Sequence, residues 1–249
     1  MGRLRNEYRD EWEKLGYCRT MGSAAVVRPP PSEFVRVYHI TTAAYAVNDI
    51  SLRRLKVARF SDLNDPFELL AVNFREARTR RVIRDFKDAF GARSGLLCFS
   101  ADWTDPVLWS HYGDKHRGVC LGFNLCRDKA EPVKYEDQRI RDELRGGDPT
   151  TLSDALQQQL LCTKFSGWKY EKEWRRFMPM EETLEEGALN FFKFDCTLQL
   201  AEIVLGTHCS LNLDAVTDVA RKLHPQVNVI KARLMHKDFK IVPDEDSLP

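Results

Sequence analysis

Strand-length runs rich in apolar and aromatic residues recur along this chain, but the helical stretches between them do not return as regularly as a doubly wound parallel sheet requires. The runs occupy residues 34–40, 55–60, 95–100, 118–123, 173–178, 189–194, 202–205 and 228–232. Helical periodicity covers residues 74–90, where Val82, Phe86 and Phe90 share a stripe, and also 106–112, 152–161 and 214–223. That mixture predicts an α+β domain. In Leu63-Asn64-Asp65-Pro66-Phe67-Glu68, Asp65 suits a helix N-cap, Pro66 the first helical position and Glu68 the third, so a helix is expected to start there. No internal repeat and no phosphate-binding glycine motif interrupts the pattern.

Residues 1–32 stand apart as an arm. A short charged helix is expected from Asn6 to Leu15, followed by the stiff connector Arg28-Pro29-Pro30-Pro31-Ser32. Residues 33–249 are read as one domain, with a polar excursion over 136–155 around Gly146-Gly147-Asp148-Pro149. The 38 basic and 37 acidic residues leave a net charge of +1, which excludes a protein that coats nucleic acid by bulk charge. A local basic face remains, because Arg75, Arg78, Arg81 and Arg84 fall opposite the apolar stripe of the 74–90 helix. Glu76, Asp85 and Asp88 on the same segment suit a solvated helix.

The seven cysteines (Cys18, Cys98, Cys120, Cys126, Cys162, Cys196 and Cys209) form no paired framework. The N-terminus has no apolar signal region and no run is long enough to span a bilayer, so reduced thiols in a cytoplasmic protein are expected. With no CxxC and no His at ligand spacing from Cys120 or Cys126, no metal is expected. The acids do not cluster as a metal-dependent nuclease would need.

Three segments concentrate reactive groups. Tyr38-His39 with Thr41 and Thr42 ends the first main strand. Residues 103–118 hold Trp109, Ser110, His111, Tyr112 and His116 between two apolar strands. Trp168-Lys169-Tyr170-Glu171-Lys172-Glu173-Trp174-Arg175 would, as a strand, put Glu171 and Glu173 on one face as an acid/base pair. Each has a structural reading as well: a hydrogen-bonded His beside a turn, a helix docking its aromatics on the core, and a solvated edge laced with Lys and Arg.

The order of these segments resembles the bacterial family called domain of unknown function 2971. The resemblance is carried by Tyr38-His39-Ile40-Thr41, Leu63-Asn64-Asp65-Pro66-Phe67-Glu68, Cys98-Phe99-Ser100, Trp109-Ser110-His111-Tyr112-Gly113, His116 through Phe123, and Tyr170-Glu171-Lys172-Glu173-Trp174-Arg175. More distantly, a strand ending in Tyr-His, a strand followed by a Ser/Tyr segment and a strand bearing a Glu are similar to the ADP-ribosyltransferase fold of the His-Tyr-Glu type. That likeness implies split, mostly antiparallel sheets with peripheral helices, and NAD as substrate. It implies that His39 holds a ribose, with Tyr38, Thr41, Ser100 and Ser110 beside the dinucleotide. Tyr112 would stack on nicotinamide, Glu173 would stabilise the cationic anomeric carbon, and Glu171 would orient the acceptor. Either Ser100 or Tyr112 fills the second motif position. Ile40-Thr41 follows His39 where the polymerase branch has glycine.

The function so implied is ADP-ribosyl transfer or NAD glycohydrolysis, in a toxin-like or phage-defence effector. Its acceptor would be a protein or a nucleic acid, and a partner or antitoxin would be met by the N-terminal arm. The other reading is a non-catalytic module of the same fold that binds a nucleotide or nucleic acid, with Arg75, Arg78 and Arg81 on its phosphates.

Overall fold

A computed structural model describes residues 29–69, 71, 77–139 and 152–244. In chain order the elements are β1 (Phe34–Thr41), α1 (Ala43–Leu52), β2 (Arg54–Val57), a 3-10 turn (Phe60–Asp62), α2 (Ala77–Arg93), β3 (Ser94–Ser100), α3 (Pro106–Tyr112) and β4 (Val119–Cys126). There follow β5 (Glu131–Pro132), β6 (Lys134–Glu136), α4 (Asp154–Leu161), β7 (Thr163–Phe165), a 3-10 segment (Ser166–Glu171) and β8 (Glu173–Pro179). Last come β9 (Leu184–Glu186), β10 (Leu189–Lys193), β11 (Leu198–Leu205), α5 (Leu213–Leu223), β12 (Asn228–Leu234) and β13 (Ile241–Pro243). The expected helix at residues 6–15, Arg28, Arg75 and the glycines of the polar excursion lie outside the described residues.

The main sheet has eight strands in the order β13-β12-β11-β4-β1-β3-β8-β5. Neighbours run antiparallel except β11 and β12, which are parallel and joined by a crossover through α5. The α+β class holds, with a mostly antiparallel sheet. Its two halves are welded thinly in the middle. β1 and β4 pair from Phe34↔Cys126 to Thr41↔Val119, and β3 and β8 pair from Ser94↔Pro179 to Ser100↔Glu173. Between them, β1 and β3 are in register only at Tyr38↔Ser100.

Residues paired across neighbouring strands share a face. A row therefore crosses one face of the sheet through Asn228, Glu202, Gly122, Tyr38, Ser100 and Glu173. Apolar residues cover both faces. Val37, Leu55, Val57, Phe99, Leu121 and Phe123 pack on one. On the other, Tyr38, Cys120 and Val204 pack under Trp103 and Trp109. Trp109 is fully buried, and its indole N–H donates to the Trp103 carbonyl at 2.6 Å, which satisfies the polar end of a core aromatic.

Gly122 has a specific reason to lack a side chain. A Cβ there would lie 2.9 Å from Glu202 Cβ and 3.1 Å from Tyr38 Cε1. Those two side chains meet over the glycine, where Tyr38 hydrogen-bonds the buried Glu202 carboxyl. Gly122→Ala is expected to cost about 1–3 kcal/mol in denaturant unfolding, because neither neighbour can retreat from a packed sheet face.

Local signals set several boundaries. Asp105 caps α3 by accepting from the Val107 amide at 2.8 Å, and Pro106 fills the first turn. Thr42 caps α1, which stops at Arg53 in the left-handed region (φ 53°). Asp49 on α1 is 7% exposed. Burial pushes its carboxyl up to about 7, although the Arg54 guanidinium pulls the other way. An acid raised in the folded state stabilises folding below its unfolded pKa, and that contribution is lost as pH climbs through about 7. Asp49→Asn should therefore gain on the order of 2 kcal/mol over wild type at pH 8 and little at pH 4. Unfolding curves at the two values of pH check it.

Two local expectations are corrected. Residues 66–69 form a turn, not the start of a helix. Asp65 accepts from the Phe67 amide at 2.9 Å as expected of a cap, but Leu69 turns left-handed (φ 61°) and the Glu68 side chain leaves for another partner. Likewise, Glu171 is not in a strand: it ends the 3-10 segment, and Lys172 (φ 45°) turns the chain into β8.

Candidate active site

The turn at Lys172 decides the geometry of the acids. It breaks strand alternation, yet both Glu171 and Glu173 end up on the ammonium of Lys164, at 2.6 and 3.1 Å. Lys164 comes from β7, which follows α4 and pairs in parallel with β6. On the other side, Arg175 reaches Glu173 through Nε at 2.8 Å. Its two terminal nitrogens hold Glu68 in a fork, at 3.0 and 2.6 Å. The Glu173 amide donates to the Tyr135 hydroxyl at 2.7 Å, fixing the start of β8. All five charged side chains are buried, and Arg175 is fully so. Three carboxylates face two cations, so the cluster is one charge negative when all ionise.

These surroundings push the two neighbouring acids apart. Burial raises Glu171 above the ordinary carboxylate range, and Lys164 and the Tyr112 hydroxyl only partly offset it. Burial also works against ionised Glu173, but there Arg175 and Lys164 outweigh it and hold the carboxyl low. Lys164 is itself raised, since Glu173 and Glu171 overcome the burial that disfavours its charge. Tyr112 is raised by burial and by Glu171, so its phenol stays protonated. It donates to Glu171 Oε1 at 2.5 Å and accepts from Asn64 Nδ2 at 2.9 Å.

The candidate residues divide. Tyr112, Glu171 and Glu173 come together as one cluster. Ser100 sits in register with Glu173, but its hydroxyl is engaged locally, donating to the Asp102 carbonyl at 2.7 Å and accepting from the Asp102 amide at 3.1 Å. Tyr38 lies in the same row and serves the Glu202 contact. Ser110 faces outward on α3, its hydroxyl on the Pro106 carbonyl at 3.0 Å and 3.3 Å from His116 Nε2. Thr41 ends β1 beside Val119. Arg81 is exposed on α2, while Arg75 and the side chain of Arg78 lie outside the described residues.

His39 does not join the acids. Strand alternation sends its side chain to the face opposite Tyr38 and Glu173, toward Phe99, with ring centroids 6.2 Å apart. Its Nδ1 lies 3.2 Å from the Cys98 carbonyl and supplies a donor where β1 and β3 have no ladder. Burial holds the imidazole below its usual pKa, so it is neutral. A ribose contact shared with Glu173 is not its role in this arrangement.

Sequence reasoning missed Lys164, Arg175 as a buried clamp, Asn64 and Tyr135. Asn64 and Glu68 stood inside a quoted motif, but the motif gives no sign of which distant group each meets. Lys164, in Thr163-Lys164-Phe165, carried no signal at all.

Among the described residues no three His, Cys, Asp or Glu side chains are placed to hold a metal ion, six cysteines are free thiols, and no helix is long and apolar enough to cross a membrane. No curated protein and no solved structure matches the chain. A family model described as a protein of unknown function, DUF2971, matches residues 108–176; that stretch supplies Tyr112, Lys164, Glu171, Glu173 and Arg175, and the match supports the resemblance to that family that the sequence carries.

Proposed function

We propose that this cluster cleaves the nicotinamide–ribose bond of NAD and passes the ADP-ribosyl group to an acceptor or to water. One observation carries the reading: two carboxylates share a single ammonium, and their acidities are driven in opposite directions. Such a split assigns separate roles to two like groups. Glu173, held ionised, faces the positive charge that develops on the ribose as the bond to nicotinamide breaks. Nicotinamide leaves neutral, taking the bonding pair into its ring nitrogen, so departure needs no proton. The attacking hydroxyl or amine must lose one. Glu171, whose raised pKa makes it the stronger base of the two, takes that proton, with Tyr112 fixing its orientation. Lys164 keeps the two acids in reach of each other. The reading assigns His39 a structural part only.

The test is release of nicotinamide from NAD by the purified full chain, followed by chromatography with and without candidate acceptors. Release that is lost in Glu173→Gln supports the reading. Absence of any NAD turnover by the folded wild-type protein overturns it.

A further inference from the structure

Residues 163–172 turn an aromatic and cationic side outward. Phe165, Gly167, Lys169 and Lys172 are exposed, Ser166, Trp168 and Tyr170 are half-exposed, and the segment's one acid, Glu171, is buried. Phe165 exposes 53% of its surface and lies on the Gly167 backbone, where a Cβ would stand 2.7 Å from the ring. Lys172 pairs with Asp102 at 2.9 Å. Across the Tyr112–Asn64 bond, the turn at 64–69 adds Phe67, 52% exposed.

Rings then follow one another along this face without a gap. Trp168 and Tyr170 have centroids 6.1 Å apart. Tyr170 and His111 follow at 5.8 Å, joined by a 2.9 Å hydrogen bond between the hydroxyl and Nδ1. His111 and Tyr112 follow at 6.1 Å, and Tyr112 ends on Glu171.

We infer that this face binds single-stranded nucleic acid, with bases stacked along Trp168 and Tyr170 and phosphates beside Lys169, and that a base of that strand is the acceptor at Glu171. Aromatic platforms flanked by cations hold unpaired strands because every base has a π-face. A duplex keeps those faces hidden. The succession of rings exceeds what one base covers, which favours a strand over a mononucleotide. The acceptor role rests on the NAD reading; strand binding does not. In that role a base nitrogen bonds the ribose carbon as the nicotinamide bond breaks, and the base proton passes to Glu171.

The experiment is fluorescence anisotropy of a labelled oligothymidylate titrated with the full chain, in the absence of NAD. The expected result is salt-sensitive binding that resists displacement by an equal concentration of blunt duplex or of AMP. Trp168→Ala should weaken it roughly tenfold, the loss of one base stack, and Lys169→Glu by several-fold. Lys169→Glu and Phe165→Ser alter exposed positions, so they decide the matter if Trp168→Ala does not fold. No binding, equal competition by duplex or AMP, or wild-type affinity in the folded variants overturns the inference. Because NAD is absent, failure here leaves the glycosyl-transfer reading standing, and strand binding survives if NAD turnover fails.

Discussion

Arg175→Met is expected to destabilise the fold by about 3–5 kcal/mol, enough to unfold a domain of ordinary stability at moderate temperature. The guanidinium has no access to water and organises three partners. It forks onto Glu68, bonds Glu173 through Nε and donates to the Leu161 carbonyl at 2.7 Å. Methionine fills similar volume but leaves Glu68 with Lys164 as its remaining cation, at 3.7 Å. Three carboxylates, Glu68, Glu171 and Glu173, would then compete for one ammonium inside the protein. Most of the cost is the desolvation of charges stripped of partners, not the worth of the pairs themselves. That account makes a second outcome necessary. Glu68→Gln combined with Arg175→Met should lose clearly less than the sum of the single changes, since removing the second charge relieves the first. Additive losses in equilibrium unfolding would mean that Arg175 matters through packing alone.

The same cluster shows which parts of the molecule were legible in the sequence. α3 was read with its observed limits because Asp105, Pro106 and the following apolar residues act within one turn of each other. Eight strands carry an apolar signal but not their full limits: the β4 run reaches Cys126 and β11 begins at Leu198, since pairing partners extend a strand beyond that signal, while the run over 55–60 stops as β2 at Val57 and the short strands β5, β6, β7, β9 and β13 carry none. Glu68 was misread. Its position three residues after Asp65 is a capping-box spacing, but Arg175, 107 positions away, offers a charged and buried fork that a cap cannot match. Glu171 and Glu173 were paired on the premise of alternation, yet they meet through the left-handed turn at Lys172 and a shared Lys164. Lys164 itself was out of reach, because a lone lysine between Thr163 and Phe165 gains meaning only when three acids from two other segments surround it. His39 shows the opposite limit. A strand position next to Tyr38 looks adjacent on paper and is on the other face in space.

Glu173→Gln is expected to lower NAD cleavage by on the order of 10²–10³-fold, the loss usual for one preorganised electrostatic group at a developing charge. The exchange keeps the shape and removes the charge. Arg175 and Lys164 would then face Glu68 and Glu171 alone, so the fold must be checked by unfolding before the rate is interpreted. Glu171→Gln makes the informative contrast, because it removes the base and leaves the ionised Glu173 in place. If the roles are divided as proposed, water as acceptor and a strongly nucleophilic acceptor such as azide will respond differently. Azide carries no proton to lose, so it should restore turnover in Glu171→Gln and do nothing for Glu173→Gln. Rescue of both variants, or of neither, would mean that the two carboxylates are not split into a base and a cation stabiliser. The pH dependence separates them again. The basal rate should fall as pH drops through the raised pKa of Glu171, and in Lys164→Met that fall should shift to higher pH, because the cation that favours the ionised carboxylate is gone.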